Sequence, residues 1–152
     1  MIEPRYSLQV MEASPSNNVI KGMHFMAYRK LRSSWKLQLR AALGRAQLGQ
    51  PPIDQALLLI ERHSASAGLD WDNAYGGLKP VLDCLVLPSA KNPDGLGLVV
   101  DDSPRHMPFP PMVVQLSCAR KAGRTRIQIY EYSPATLLQL VANHVESLNA
   151  RA

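Results

Sequence analysis

Ala56-Leu57-Leu58-Leu59-Ile60-Glu61-Arg62 is a short apolar run that closes on two charged residues, and its reading decides the fold. It is bounded by turn signals and too short for a helix, so it reads as a buried strand. Upstream, Phe25 to Gln47 has a helical pattern: Tyr28, Leu31, Trp35, Leu39, Ala42 and Leu43 recur mostly at spacings of three and four. Lys and Arg fill the other faces, and Tyr28 and Trp35 are expected in the core. Gly49-Gln50-Pro51-Pro52 ends that helix. Earlier still, Tyr6 to Glu12 alternates as a first strand and runs into the turn-rich Ala13-Ser14-Pro15-Ser16-Asn17-Asn18.

Downstream, Leu69 to Leu85 carries a further helix, and Pro80 requires it either to start near Lys79-Pro80 or to be kinked in its first turns. Leu98-Val99-Val100 is a brief apolar strand that delivers Asp101-Asp102. Beyond the proline-rich stretch 104–111 come two strands, Met112 to Arg120 and Thr125 to Tyr132, which Lys121-Ala122-Gly123-Arg124 is expected to join as a hairpin. Ser133 as N-cap and Pro134 at the first helical position open a last helix, about 134–149. Its stripe of Leu137, Val141, Val145 and Leu148 is expected to pack on the domain itself. The order strand, helix, strand, helix, short strand, hairpin, helix predicts one mixed α/β (α+β) domain over 1–152, with its core at about 6–132.

At 152 residues and 46% hydrophobic, the chain is long enough for a real core. Cys84 and Cys118 are too far apart for a zinc knuckle and read as free thiols. His24, His63, His106 and His144 have no metal-ligand spacing. No apolar run reaches the ~18 residues a bilayer span needs, and Met1 to Arg5 lacks the order of a signal peptide. The expectation is a soluble, cytoplasmic protein with no membrane partner.

Charge is segregated. No acid lies between Glu12 and Asp54, while Lys21, Arg29, Lys30, Arg32, Lys36, Arg40 and Arg45 do. Asp70, Asp72, Asp83, Asp94, Asp101 and Asp102 are half of the 12 acids, with only Lys79 and Lys91 among them. A nuclease needs both features: positive surface for the phosphate backbone and carboxylates for a metal. If Asp70-Trp71-Asp72-Asn73 is extended, its two carboxylates share a face and Trp71 turns to the core. Mg²⁺, an oxygen-seeking ion that keeps several waters, suits such a site.

Four segments in order then resemble the RusA-type Holliday junction resolvases: Ser14-Pro15-Ser16-Asn17-Asn18, Asp70-x-Asp72-Asn73, Lys79-x-x-x-Asp83-x-Leu85, and Gly97 leading to Asp101-Asp102. The likeness runs from about Tyr6 to Tyr132. These are small homodimeric crossover junction endodeoxyribonucleases, often carried by bacteriophages and prophages. The resemblance implies a RusA-like mixed sheet packed with helices, and Mg²⁺ or Mn²⁺ held by Asp70, Asp72 and Asp102. Lys79 would stand beside the scissile phosphate as the fourth catalytic residue, with Asp101, Asp83 and Asn73 in supporting positions. It also implies a two-fold dimer on four-way DNA, with the last helix a candidate for the interface, cutting by paired nicks that leave a 5′-phosphate and a 3′-hydroxyl. Lys21, Arg29, Lys30, Arg32, Lys36 and Arg40 are the residues expected to contact the DNA backbone. The loop 87–97 is either a DNA-contacting flap or decoration. The rival readings are a non-catalytic DNA- or RNA-binding module of the same fold and, further off, a metal-dependent hydrolase or phosphotransferase of nucleotides.

Overall fold

A computed structural model describes residues 2–152. The elements run β1 Tyr6–Val10, α1 Asn17–Ile20, α2 Phe25–Ala42, β2 Ala56–Ser64, α3 Trp71–Gly76, α4 Lys79–Leu85, β3 Met112–Ser117, β4 Arg124–Glu131 and α5 Pro134–Asn149. The fold is mixed α+β, as expected. The four strands form one sheet in the order β1-β4-β2-β3, so the apolar run that decides the fold is an interior strand. Its even and odd residues both meet cover. Leu58 and Ile60 face an inner core, and Leu57 faces a smaller outer one.

The inner core joins Tyr6, Leu8 and Val10 of β1 and Ile127 and Ile129 of β4 to Trp35 and Leu39 of α2 and Val81 and Leu85 of α4. The outer core is Leu57, Met112 and Tyr130 against Leu140 of α5.

Four expectations are corrected. β3 and β4 are not a hairpin: β3 pairs parallel with β2 and β4 pairs antiparallel with it, one on each edge. Residues 118–123 therefore step across the end of β2. Alternation says which face a residue takes but not which strand lies beside it. The long helix ends at Ala42, because Gly44 is extended and opens a separate 3₁₀ turn over Arg45–Gln47. Residues 98–100 form no strand of their own. Val99 makes single parallel bridges to Ile53 and Val86. On α5 the buried residue is Leu140, while Val141, Val145 and Leu148 of the expected stripe are exposed.

Candidate functional site

The site is fixed by a row of three inward-facing side chains at one end of the sheet. In the strand register Arg62 of β2 lies between Thr125 of β4 and Gln115 of β3. Each ties down a loop. The Thr125 hydroxyl donates to Glu12 O at 2.8 Å and accepts from Ser14 N at 2.8 Å. Arg62 Nε donates to Ser14 O at 2.8 Å. The Gln115 amide brackets Leu69, donating to its O and accepting from its N, both at 2.7 Å. Polar side chains thus continue the inner face where the apolar core stops, and they satisfy backbone groups that the sheet leaves unpaired.

These ties bring two of the motif segments into contact. Ser16 caps α1 by accepting from Val19 N, and Asn18 N donates to Asn73 Oδ1 at 3.1 Å. The fit is close enough to exclude a side chain on α3's far end. A Cβ at Gly77 would stand 1.7 Å from Pro15 O, and one at Gly76 would stand 2.5 Å from Asn17 Cγ. The Gly76-Gly77 pair is therefore required by the docked 14–18 loop.

Asp70 and Asp72 are not on a strand. Asp70 is the N-cap of α3, its Oδ1 accepting from Asn73 N at 3.0 Å, and Asp72 sits exposed in the first turn. Capping supplies an acceptor to an otherwise unpaired helix N–H, and an acid in the first turn suits the helix dipole. Trp71 consequently does not enter the core. It is 58% exposed, with its ring 6.1 Å from that of Tyr75.

The chain passes from α3 to α4 through Gly77 and Leu78, both with right-handed helical angles, and Pro80 lies in the first turn of α4 where a missing N–H costs little. Of the two readings of Pro80, the helix starting at Lys79 is the observed one. Lys79 Nζ is 3.4 Å from both carboxylate oxygens of Asp83, which also accepts from the Tyr28 hydroxyl at 2.6 Å. Tyr28 is therefore half-buried with a polar task, not plain core. Burial and, next, its bond to Asp83 push its hydroxyl pKa well up.

Asp102 belongs to this second cluster. Asp102 is exposed, and its carboxyl is raised above the ordinary range by partial desolvation, then by the neighbouring Asp101 and by Asp83, with Lys79 opposing. Asp101 goes the other way, lowered chiefly by a hydrogen bond from the Ser103 side chain. Among the described residues no three His, Cys, Asp or Glu side chains are grouped as a metal centre requires. Asp70, Asp72 and Asp102 thus do not form a three-carboxylate ligand set in this arrangement.

The basic helix divides. Arg32 does not face DNA as the sequence predicts: it is buried at 6% exposure with Nε 2.9 Å from Asp94 Oδ2. A helix periodicity of 3.6 puts residue 32 beside Tyr28, Trp35 and Leu39, on the packed face. Lys36 is partly covered, with Nζ 3.9 Å from Asp94 and 3.4 Å from Pro93 O. Lys21, Arg29, Lys30 and Arg40 remain exposed. The 87–97 loop is fastened through Asp94 and through Asn92, whose amide donates to Asp83 O at 2.7 Å. His106 is held by Asp54, with Nδ1 2.8 Å from its backbone oxygen.

The polar tasks of Tyr28, Asp94 and Arg62 are not legible in the sequence, although Arg62 has the same strand parity as Leu58 and Ile60, which places a cation on the inner face. Cys84 is buried, and burial first, then Asp94 and Asp83, push its thiol up to about 12, so it is unreactive. No helix among the described residues is long and apolar enough to cross a membrane. No protein-family profile matches the chain, and no curated protein matches it significantly.

Proposed function

We propose that the chain is a structure-selective endodeoxyribonuclease of the RusA type, acting as a homodimer on four-way DNA junctions. The observation that carries this reading is the hydrogen bond from Asn18 N to Asn73 Oδ1, which joins two motif segments far apart in sequence. A chance scatter of short motifs has no reason to dock together; a working site does. Lys79 and Asp102 supply the remaining motif residues on the next helix and loop, as electrostatic neighbours of Asp83. Arg29, Lys30 and Arg40 present charge suited to a phosphate backbone without reading bases. In phosphodiester cleavage Lys79 would offset charge that builds on the phosphate in the transition state. A two-fold dimer matches the equivalent opposed strands of a junction.

The test is cleavage of a synthetic four-way junction beside a linear duplex, with Mg²⁺, Mn²⁺ or chelator. Paired nicks confined to the junction, lost on Lys79→Ala and Asp72→Asn, are the expected result. Unimpaired resolution by Asp72→Asn overturns the site.

A second reading has its own support. The three acids do not stand together as a ligand set, which favours a nucleic-acid-binding module that does not cut. Such a module binds the junction with steep salt dependence and gives no nick with any divalent ion.

A further inference from the structure

Arg62 is 8% exposed, yet it has no acidic partner within ion-pair distance among the described residues. Among the described residues its side chain makes one hydrogen bond, from Nε to Ser14 O. Burial alone lowers its pKa, with no carboxylate to raise it. Its carbon stem and Nε are buried, while its terminal nitrogens have no protein partner and are left to solvent or to a bound anion.

Arg62 lines a cavity of about 50 Å³ together with Ser64, Ser66, Gly68, Gln115, Leu116 and Ser117. Ser64 and Ser117 are register partners on the same inner face as Arg62. No acidic residue lines this cavity. Its size fits a few waters or one tetrahedral oxyanion and is too small for a nucleobase, since one water occupies roughly 10–15 Å³ on this scale. A planar fork of N–H donors matches phosphate geometry, and Ser117 adds a hydroxyl at the rim, whereas the Ser64 and Ser66 hydroxyls bond each other at 2.8 Å. The exposed Ser66, Gly68 and Ser117 form the mouth, so the anion can enter from solvent.

We infer that this cavity is a phosphate-binding subsite with Arg62 as its floor. Gln115 lines it and also holds Leu69, the residue before Asp70, so an occupant lies next to the start of α3. On the nuclease reading the occupant is a backbone phosphate of the bound strand; that source rests on the reading, whereas the subsite does not. A free phosphate shares the chemistry.

The full-length protein is titrated with inorganic phosphate against sodium chloride at matched ionic strength, following the melting temperature and the Arg62 Nε–H resonance. Phosphate is expected to raise the first and shift the second saturably, and chloride to do neither. Arg62→Gln also cuts the tie to Ser14 and can unfold the chain, so Ser117→Asp is the decisive variant. It fills the mouth with a carboxylate facing the guanidinium and should weaken phosphate binding about tenfold to a hundredfold. An Arg62 resonance that phosphate leaves unmoved, or a Ser117→Asp protein that responds like the wild type, overturns the subsite. Junction affinity separates the sources: its loss in Ser117→Asp assigns the cavity to DNA phosphate, its retention to the free ion. A protein that binds phosphate as described but neither binds nor cuts the junction sinks the function above and leaves the subsite standing.

Discussion

Arg32 on α2 and Asp94 in the loop after α4 form a buried ion pair, Nε to Oδ2 2.9 Å, with side chains only 7% and 12% exposed. Ser33 Oγ adds a bond to the same carboxylate at 3.2 Å. The pair fastens the 87–97 loop to the basic helix, so that loop is a strut between α2 and α4 and not a free flap.

Removing one partner leaves the other charged and dry. Arg32→Gln is expected to cost about 3–5 kcal/mol in urea unfolding. The double change Arg32→Met with Asp94→Leu should recover much of that loss, because two apolar groups need no solvation. A double variant as unstable as the single one removes the pair from the account.

Exposed cations on the same helix should behave differently. Arg29→Gln, Lys30→Gln and Arg40→Gln are expected to leave stability within about 0.5 kcal/mol of the parent. Each that contacts a phosphate lowers the slope of log K against log salt for junction binding by about 0.9. Lys36, held near Asp94, should give a smaller change. Unaltered slopes for all of them move the DNA to another face.

Asp70 caps α3, and the proposed nuclease reading would give it a second role; a pair of substitutions separates the two. Asp70→Ala removes the cap on α3 and should cost about 0.5–2 kcal/mol. Asp70→Asn keeps a good cap acceptor, so its melting temperature should stay near that of the parent while nicking of the junction disappears. Full activity in a stably folded Asp70→Asn protein would leave the carboxylate with capping alone.

Asp102 gives a pH signature. Its pKa in the folded chain lies above the ordinary 3.8 through partial desolvation and the charges of Asp101 and Asp83. The folded state therefore resists the ionised form more than the unfolded state does, and ionised Asp102 subtracts from stability at neutral pH. The penalty grows as pH rises from 3.8 through the raised value and is absent below both. Asp102→Asn should melt higher than the parent at pH 7, and the gain should shrink to nothing in acid. Thermal melts across that range check it; an equal gain at every pH contradicts the assignment.

The chain's own pattern determined its elements. Alternation in Tyr6–Val10, the apolar run at Ala56, the three-to-four spacing after Phe25 and the Ser133-Pro134 cap each express local geometry, which neighbouring residues fix among themselves. It also picked out the motif segments, two of which dock through Asn18 and Asn73.

Tertiary structure alone decided the rest, because those features depend on which strand or helix lies alongside. β2 separates β3 from β4, a choice of neighbour that alternation does not encode. Arg32 became an internal strut because Asp94, 62 residues away, arrives against its buried face. Asp70 and Asp72 went to a helix start, and Trp71 went to solvent, because Gln115 clamps Leu69 and the next residue caps α3. Arg62 lines a small cavity because Ser64 and Ser117 meet across paired strands. Long-range packing sets such placements, and no local spacing carries them.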